Sequence, residues 1–282
     1  MKKQAMALVL LLASLLAFPV GGALAAEKNL ILATTTSTQD SGLLDLLLPA
    51  FEKDTGYFVK TIAVGSGQAM AMGEKGEADV LLVHSPAAEK KFMEGEFGVD
   101  RKLVMHNDFV LVGPPSDPAK VSGAKLTAEA LKKISESGSL FLSRSDKSGT
   151  HSKELALWKV AGIAPDGQKW YQQTGLGMGQ TLSVASEKEG YTLADRGTFL
   201  SMKKNLSLAV LVEGESNLLN VYHVISVNPA KWPKVNAEGA KAFNDFMVSG
   251  GAQEMIKTFG AEKYGQPLFT PDAGKKVEEL GK

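Results

Sequence analysis

Cysteine is absent from this chain of 282 residues. Its absence excludes disulfide bonds, thiol nucleophiles, cysteine-ligated zinc and iron–sulfur clusters. It also excludes lipid attachment through an N-terminal cysteine. Four histidines remain as metal ligands, but none shows the H-x-x-x-H spacing of a compact helical site. A metal site would therefore need residues gathered from distant parts of the chain.

An excess of charge of either sign is missing too, because 31 lysines and arginines balance 31 aspartates and glutamates. Nucleic-acid-binding proteins usually carry a basic excess, so this balance argues against a nucleic-acid partner. Hydrophobic residues make up 44% of the chain and charged residues 22%, which is close to the globular average and excludes a mainly disordered chain. The length allows one large domain or two of ordinary size.

Long apolar runs are missing except at the N-terminus, where Lys2 and Lys3 precede the apolar residues 5–20. Residues 23–25, Ala-Leu-Ala, then form a small-residue cleavage site. We therefore predict that residues 1–25 are a secretory signal peptide and that the mature chain works in the periplasm. The alternative is a retained membrane anchor. A serine and a proline interrupt the apolar run, which favours cleavage and export.

Hydrophobic periodicity predicts alternating strands and helices at the start of the mature chain. In order, these are a strand over Asn29–Ala33, a helix through Leu43 to Phe51 that ends at Gly56, a strand over Tyr57–Val64, a helix to about Lys75 and a strand over Ala78–Val83. Pro49 lies inside the first helix and is expected to kink or restart it, because proline lacks a backbone donor. The alternation predicts a largely parallel sheet with helices on both faces.

A turn of one glycine and two prolines at residues 113–115 precedes a polar stretch and predicts a boundary between two lobes. A second set of elements follows, with helices over Ala128–Ser135, Ser152–Val160 and Leu182–Glu189 and strands over Ser139–Leu142 and Leu208–Val212. The β-rich run Asn220–Val227 then leads back to the first lobe. We predict that lobe one comprises residues 26–113 and 223–282 and that lobe two comprises residues 114–222.

Four turns rich in hydroxyl groups or glycine each stand where a predicted strand gives way to a helix. They are Thr34 to Thr38, Gly65 to Gly67, Ser143 to Thr150 and Gly175 to Thr181. A helix N-terminus exposes unpaired N–H groups and the positive end of the helix dipole, so it can bind an anion without cationic side chains. The alternative for each turn alone is an ordinary helix cap. Four such turns, divided between two lobes, favour an anion site.

The most specific of these turns combines Arg144 with Ser148, Gly149 and Thr150. Arginine stays charged at any relevant pH, and its planar guanidinium donates hydrogen bonds in two directions, which suits an oxyanion. Asp146 either holds this guanidinium in place or is a solvated turn residue. The alternative for the arginine itself is a surface position without a ligand.

Enzyme motifs are weak in this sequence. Glycines flank Ser66 directly, so its turn is not the G-x-S-x-G nucleophile elbow, and the glycines within residues 175–179 lack the spacing of a nucleotide-binding loop. A secreted hydrolase with Ser66 as nucleophile and His84 or His151 as base remains an alternative, as does an extracytoplasmic sensor domain. Among the histidines, His151 is the candidate neighbour of the site, because it follows the arginine-containing turn directly; the favoured alternative is a partly exposed histidine in the first turn of its helix.

Six segments carry a resemblance to a known family. They are Thr-Thr-Thr-Ser at 34–37, Val-Gly-Ser-Gly-Gln-Ala at 64–69, Asp-Val-Leu-Leu-Val-His-Ser-Pro at 79–86, the stretch from Ser143 to His151, the stretch from Thr174 to Leu182, and Tyr-Thr-Leu-Ala-Asp-Arg at 191–196. Together they resemble the periplasmic tungstate-binding proteins of ABC importers, over nearly the whole mature chain. The turn at Arg144 is also similar to one in phosphate-binding relatives and identifies only the oxyanion class.

The resemblance implies a type II periplasmic-binding fold, an α/β architecture of two lobes joined by two crossing strands with the ligand cleft between them. It implies a monomeric binding protein without enzymatic activity or cofactor, which delivers tungstate to an ABC permease and its ATPase. Molybdate has the same shape and charge, so the sequence does not separate the two, and another tetrahedral oxyanion is the alternative. The implied ligand-binding residues are Thr35, Thr36, Ser37, Ser66, Arg144, Ser148 and Thr150, with Gly179, Thr181 and Ser183 beside them.

Overall fold

The computed structural model describes residues 28–280, so the predicted signal peptide lies outside the described residues. The strands are Asn29–Thr35 (β1), Phe58–Val64 (β2), Val80–Val83 (β3), Gly98–Gly113 (β4), Phe141–Ser143 (β5), Tyr171–Gln173 (β6), Thr192–Asp195 (β7), Ala209–Val212 (β8), Leu219–Val227 (β9) and Thr270–Pro271 (β10). The helices are Thr36–Asp40 (α1), Leu43–Thr55 (α2), Ser66–Glu74 (α3), Pro86–Glu94 (α4), Thr127–Ser137 (α5), Gly149–Ala161 (α6), Met178–Glu187 (α7), Arg196–Met202 (α8), Ala237–Met247 (α9), Gly250–Thr258 (α10) and Ala261–Tyr264 (α11). Within residues 28–280, no helix combines the length and apolar character that crossing a membrane requires.

The first group of strands forms a mixed sheet in the order β10-β4-β9-β3-β1-β2. Strand β1 pairs in parallel with β2 and β3, which confirms the parallel pairing predicted for the start of the chain. Strand β9 pairs antiparallel with β3 on one side and with β4 on the other. All four residues of β3 are buried, as expected for a central strand covered on both faces.

Strand β4 is shared by two groups of strands. Its residues 98–108 pair with β9, whereas residues 109–113 pair with β7 and β8. Strands β5 and β6 are parallel to each other and join this second group through the hydrogen bond from Leu142 N to Tyr191 O. We call the part built on β1–β3, β9 and the start of β4 lobe one, and the part built on β5–β8 and the end of β4 lobe two. The boundaries predicted at 113/114 and 222/223 stay predictions.

Three features of the fold differ from the prediction. Helix α2 continues without a restart through Pro49, because this proline is exposed and the carbonyl of Asp45 that loses its partner lies on the same exposed face. Helix α7 begins at Met178, one turn before the predicted start at Leu182. Strand β4 begins at Gly98, well before the apolar segment at 108–112 that the sequence singled out.

A buried carboxylate lies in the core of lobe two. Glu154 of α6 is 3% exposed and accepts hydrogen bonds from Ser143 Oγ at 2.7 Å, Trp158 Nε1 at 3.0 Å and Tyr171 Oη at 2.7 Å. Burial raises the pKa of Glu154 to about 7, although these three donors lower it. The aromatic rings of Trp158 and Tyr171 pack edge to face around this group, 6.2 Å apart between centroids.

Because the pKa of Glu154 rises from 4.5 to about 7 on folding, the folded protein binds the proton more tightly. The free energy of unfolding should therefore fall as pH rises between these two values, by up to about 3 kcal/mol. We expect Glu154→Gln to flatten this part of the pH dependence, because glutamine does not titrate. The variant should still fold, since the amide oxygen keeps the donors Trp158 and Tyr171, and Ser143 can accept from the amide nitrogen. Thermal unfolding from about pH 5 to about pH 8 measures it. Glu187→Gln, on the exposed end of α7, is the control, and equal slopes for Glu154→Gln and the unaltered protein would contradict the assignment.

Candidate functional site

The predicted turns meet where the two lobes touch. Each of the four stands between a strand and a helix, with Thr35, Gly65, Ser148 and Gly177 as the residues that precede the helices. Two glycines allow the backbones to approach closely. A Cβ atom at Gly65 would lie 2.8 Å from the carbonyl oxygen of Asp146, and one at Gly149 would lie 2.7 Å from the carbonyl oxygen of His84. Lobe one and lobe two are therefore packed backbone to backbone at this point.

Arg144 lies at the centre of this contact and is 1% exposed. Its Nη2 donates to Thr36 Oγ1 of lobe one at 2.9 Å, and its Nη1 donates to Thr150 Oγ1 at 3.3 Å. Asp146 Oδ2 lies 2.5 Å from the same Nη2, so the acid holds the guanidinium rather than facing solvent. A charge taken out of water needs such partners, and the surface alternative for this arginine is excluded.

Two buried donors at this contact have no hydrogen-bond partner among the residues that the structure describes. They are Arg144 Nε and Ser66 Oγ, on opposite lobes. An unsatisfied buried polar group costs about 1–3 kcal/mol, and more when it is charged. Both groups can donate, so the partner that would satisfy them is an acceptor held between the lobes.

The hydroxyl groups at residues 34–38 face different partners. Thr34 Oγ1 donates to the carbonyl oxygen of Leu82 at 2.8 Å and stays within the sheet. Thr35 Oγ1 lies 2.6 Å from Thr38 Oγ1 and 3.1 Å from Ser37 Oγ. Thr36 alone in this run reaches across to Arg144 among the described contacts. The run is therefore divided between structural bonds and the lobe contact, which the sequence could not resolve.

His84, and not His151, is the histidine that contacts the hydroxyl run. Its Nε2 lies 3.1 Å from both Thr35 Oγ1 and Ser37 Oγ, and the residue is 2% exposed. Burial lowers the pKa of His84 to about 4, so the ring is neutral at pH 7. His151 is half-buried in the first turn of α6, and its Nδ1 accepts a hydrogen bond from Lys147 N, as expected for the alternative of a partly exposed histidine.

Three residues of α7 that the family resemblance implies, Gly179, Thr181 and Ser183, make hydrogen bonds to other protein groups rather than to Arg144. Gly179 N donates to Asp40 Oδ2 of lobe one at 3.0 Å, whereas Thr181 Oγ1 pairs with Thr174 Oγ1 and Ser183 Oγ donates to Gly179 O. Burial raises the pKa of Asp40, and the bond from Gly179 opposes that rise. Thr181 and Ser183 thus bond within their own lobe, and Gly179 joins the lobes through its backbone.

Ser148 and Thr150 also have defined partners in the arginine-containing turn. Ser148 Oγ accepts from His151 N at 3.1 Å and caps α6, while Ser148 N donates to Asp146 Oδ1 at 3.1 Å. Thr150 is 1% exposed and receives its bond from Arg144. Both oxygens of Asp146 are therefore occupied by donors of the same turn.

Helix α8 also contributes to the lobe contact, which the sequence patterns did not predict. Asp195 precedes this helix and accepts from Thr198 N at 2.8 Å, and Thr198 Oγ1 donates to the carbonyl oxygen of Ser37 in lobe one at 3.1 Å. Burial raises the pKa of Asp195 to about 6. The segment at 191–196 was part of the family resemblance, so a signal was present, but its strand and helix are too short for periodicity to predict. No group of three or more histidine, aspartate or glutamate side chains arranged for a metal ion occurs in residues 28–280.

Known proteins resemble this chain over most of its length. A family model described as a PBP superfamily domain matches residues 22–250. The tungstate-binding protein TupA of Peptoclostridium acidaminophilum is 57% identical over 253 residues, which cover 89% of this chain and 88% of that protein. The crystal structure of the tungstate ABC transporter from Geobacter sulfurreducens is 48% identical with a TM-score of 0.76, covering 83% of this chain and 100% of that chain. The tungstate-binding protein TupA from Desulfovibrio alaskensis G20 is 49% identical with a TM-score of 0.72, covering 87% and 99%.

These matches extend over most of both chains, so they concern the whole architecture rather than one motif. The two solved structures confirm the predicted α/β fold of two lobes, the type II periplasmic-binding fold. The chain therefore belongs to the periplasmic-binding-protein superfamily and, within it, to the family of tungstate-binding proteins.

Proposed function

We propose that this protein captures tungstate between its two lobes and delivers it to an ABC transporter. The observation that carries the proposal is the buried pair of unpartnered donors, Arg144 Nε and Ser66 Oγ, on opposite sides of the lobe contact. Tungstate near neutral pH is a dianion whose oxygens only accept hydrogen bonds. It would satisfy donors from both lobes at once, and relatives named for tungstate binding are similar along most of the chain.

The proposed binding set consists of hydroxyl groups, backbone N–H groups and one arginine. It comprises Thr35, Thr36, Ser37, Ser66, Arg144, Ser148 and Thr150, with Gly179, Thr181 and Ser183 supporting the cleft from α7. A dianion moved from water into a site of low polarity costs tens of kcal/mol unless each oxygen is hydrogen-bonded. Asp146 neutralises Arg144, so directed donors rather than net positive charge would compensate this cost.

Delivery requires a form that the transporter can recognise, and lobe closure supplies one. Gly67 N donates to Lys147 O at 3.3 Å, and Ser201 Oγ donates to Asp40 O at 3.0 Å, both between the lobes. Ligand that contacts both lobes shifts the population toward this closed arrangement. We place the protein outside the cytoplasm. We infer that it is exported to the periplasm with residues 1–25 as a cleaved signal peptide. There it would act as a monomer that docks on the permease and ATPase of its own importer.

The alternative of a hydrolase finds no support in the geometry. Ser66 Oγ has no partner among the described residues, His84 faces Thr35 and Ser37, and His151 stays within its own turn. A serine nucleophile needs a base within hydrogen-bond reach, so Ser66 is better explained as a donor to an anion. The chain's family consists of binding proteins rather than enzymes.

Arg144→Ala should weaken tungstate binding more than any other single change in the proposed set, because it removes the charge and leaves Asp146 Oδ2 without its partner beside the bound anion. Truncating one member of a buried charged pair costs about 2–5 kcal/mol, or about 30-fold or more in affinity. Arg144→Lys should recover only part, since an ammonium lacks the planar fork. Titration calorimetry measures both. The matched control is Arg196→Ala, which breaks the pairs with Asp108 and Glu213, and wild-type affinity for Arg144→Ala would place the site elsewhere.

Molybdate should displace tungstate, whereas phosphate should not displace it even in large excess. Phosphate near neutral pH carries a proton that needs an acceptor, but Asp146 is occupied by Arg144 and Ser148, and Asp40 is bound to Gly179. An unpaired buried donor costs about 1–3 kcal/mol, which opposes phosphate. Competition calorimetry with molybdate, sulfate and phosphate tests the order. Displacement by phosphate would favour the alternative of a different tetrahedral oxyanion.

Tungstate should make the particle more compact and more stable to heat. The physical reason is that the ligand would join donors of both lobes and bind the folded protein alone. Small-angle scattering should show a smaller radius of gyration with ligand, and Tm should rise with the logarithm of tungstate concentration above Kd. Unchanged dimensions in the presence of saturating tungstate would count against lobe closure.

A further inference from the structure

A closed ring of hydrogen bonds runs beside the hydroxyl run and through both crossing strands, β4 and β9. Its members, all at most 6% exposed, are Ser37, His84, Asn220, Asn107, Asp195 and Thr198. The links are Ser37 Oγ to His84 Nε2 at 3.1 Å, His84 Nδ1 to Asn220 Oδ1 at 2.8 Å, Asn220 Nδ2 to Asn107 Oδ1 at 2.8 Å, Asn107 Nδ2 to Asp195 Oδ1 at 3.5 Å, Thr198 N to Asp195 Oδ1 at 2.8 Å, and Thr198 Oγ1 to Ser37 O at 3.1 Å. The ring contains residues of both lobes, so it closes only when the lobes are in contact.

The ring of hydrogen bonds determines which nitrogen of the His84 imidazole carries the hydrogen. Asp195 is an acceptor when ionised, so Asn107 turns its amide nitrogen toward it and its oxygen toward Asn220. Asn220 then presents its own nitrogen to Asn107 and to Tyr222 Oη at 3.0 Å, which leaves its oxygen for His84. A carbonyl oxygen only accepts, so Nδ1 of His84 must donate. In a neutral ring the other nitrogen, Nε2, therefore carries the lone pair.

The lone pair on His84 Nε2 faces two hydroxyl groups but accepts one hydrogen. Thr35 Oγ1 and Ser37 Oγ both lie 3.1 Å from it. One of the two hydroxyls donates to the imidazole, which leaves the hydrogen of the other for Thr38 Oγ1, for its neighbour in the pair or for an acceptor in the cleft, since Thr35 Oγ1 lies 2.6 Å from Thr38 Oγ1 and 3.1 Å from Ser37 Oγ. The imidazole of His84 is held in place on one face by Tyr222, whose aromatic ring stacks on it with 4.6 Å between centroids.

We propose that His84 is a positioning residue for the bound oxyanion. By accepting one hydroxyl hydrogen from the pair Thr35 and Ser37, it fixes the orientation of the linked hydroxyls of Thr35, Ser37 and Thr38. These hydroxyls flank Thr36, which contacts Arg144, so a bound oxyanion would meet donors that are already oriented. His84 does not touch the ligand in this arrangement. The inference rests on the proposed function, because it concerns donors that would bind tungstate.

Two substitutions separate this role from simple packing. His84→Phe keeps a ring to stack on Tyr222 but removes both nitrogens, whereas His84→Gln loses the stacking and can place an amide oxygen where Nε2 stands. We expect His84→Phe to weaken tungstate affinity about 5- to 150-fold, the range for one unsatisfied buried polar group, and His84→Gln to recover most of that loss. His106→Phe is the matched control, because the His106 side chain contacts Asp272 and makes no hydrogen bond to the ring among the described contacts, although the residue precedes Asn107 in β4.

Nitrogen-15 NMR of the histidine rings in the unaltered protein tests the tautomer without any substitution. The proposal requires a neutral His84 with its hydrogen on Nδ1, in the presence and absence of tungstate. A hydrogen on Nε2 would overturn it, and so would unchanged affinity of a folded His84→Phe. If the unaltered protein failed to bind tungstate, the proposed function would fall first and this inference with it. Wild-type binding with an unaffected His84→Phe would remove this inference alone.

Discussion

The burial of one guanidinium group is the constraint on which the rest of the site depends. Arg144 is 1% exposed, and a charge removed from water must be matched by partners at short range. Asp146 and Thr150 supply partners within lobe two, but Thr36 supplies one from lobe one. The full set of these hydrogen bonds to the guanidinium forms only when the lobes meet. The burial of Arg144 therefore links the geometry of the site to lobe closure.

Strand β4 makes that meeting possible. Because one continuous strand pairs with β9 at its start and with β7 and β8 at its end, the two sheets share a backbone and their strand-to-helix turns face one another. Asn107 on β4 and Asn220 on β9 are the points where the crossing strands join the buried ring around His84. The crossing segment therefore both connects the lobes and supports the hydroxyl groups that would hold an anion.

Local sequence patterns predicted a large part of this arrangement. The parallel strands β1 to β3, the four strand-to-helix turns and the position of Arg144 in one of these turns were predicted, since each depends on residues close together in the chain. The restart predicted at Pro49 was wrong, and the contact of His84 with the hydroxyl run was not predicted, because the exposure of a helix face and the partners of a histidine ring depend on packing. The short elements around Asp195 left no periodic signal of sufficient length.

The sequence by itself thus determined the kinds of groups available: hydroxyls, glycines and one suitable arginine at helix starts, without cysteine or a compact metal motif. Only the tertiary structure decided which of them meet. Thr36 and Arg144 are 108 positions apart, and Thr35 and His84 are 49 apart, yet each pair is in hydrogen-bond contact. Local propensity acts over a few neighbouring residues, whereas these contacts follow from sheet order and lobe packing, which bring distant segments together after the local elements have formed.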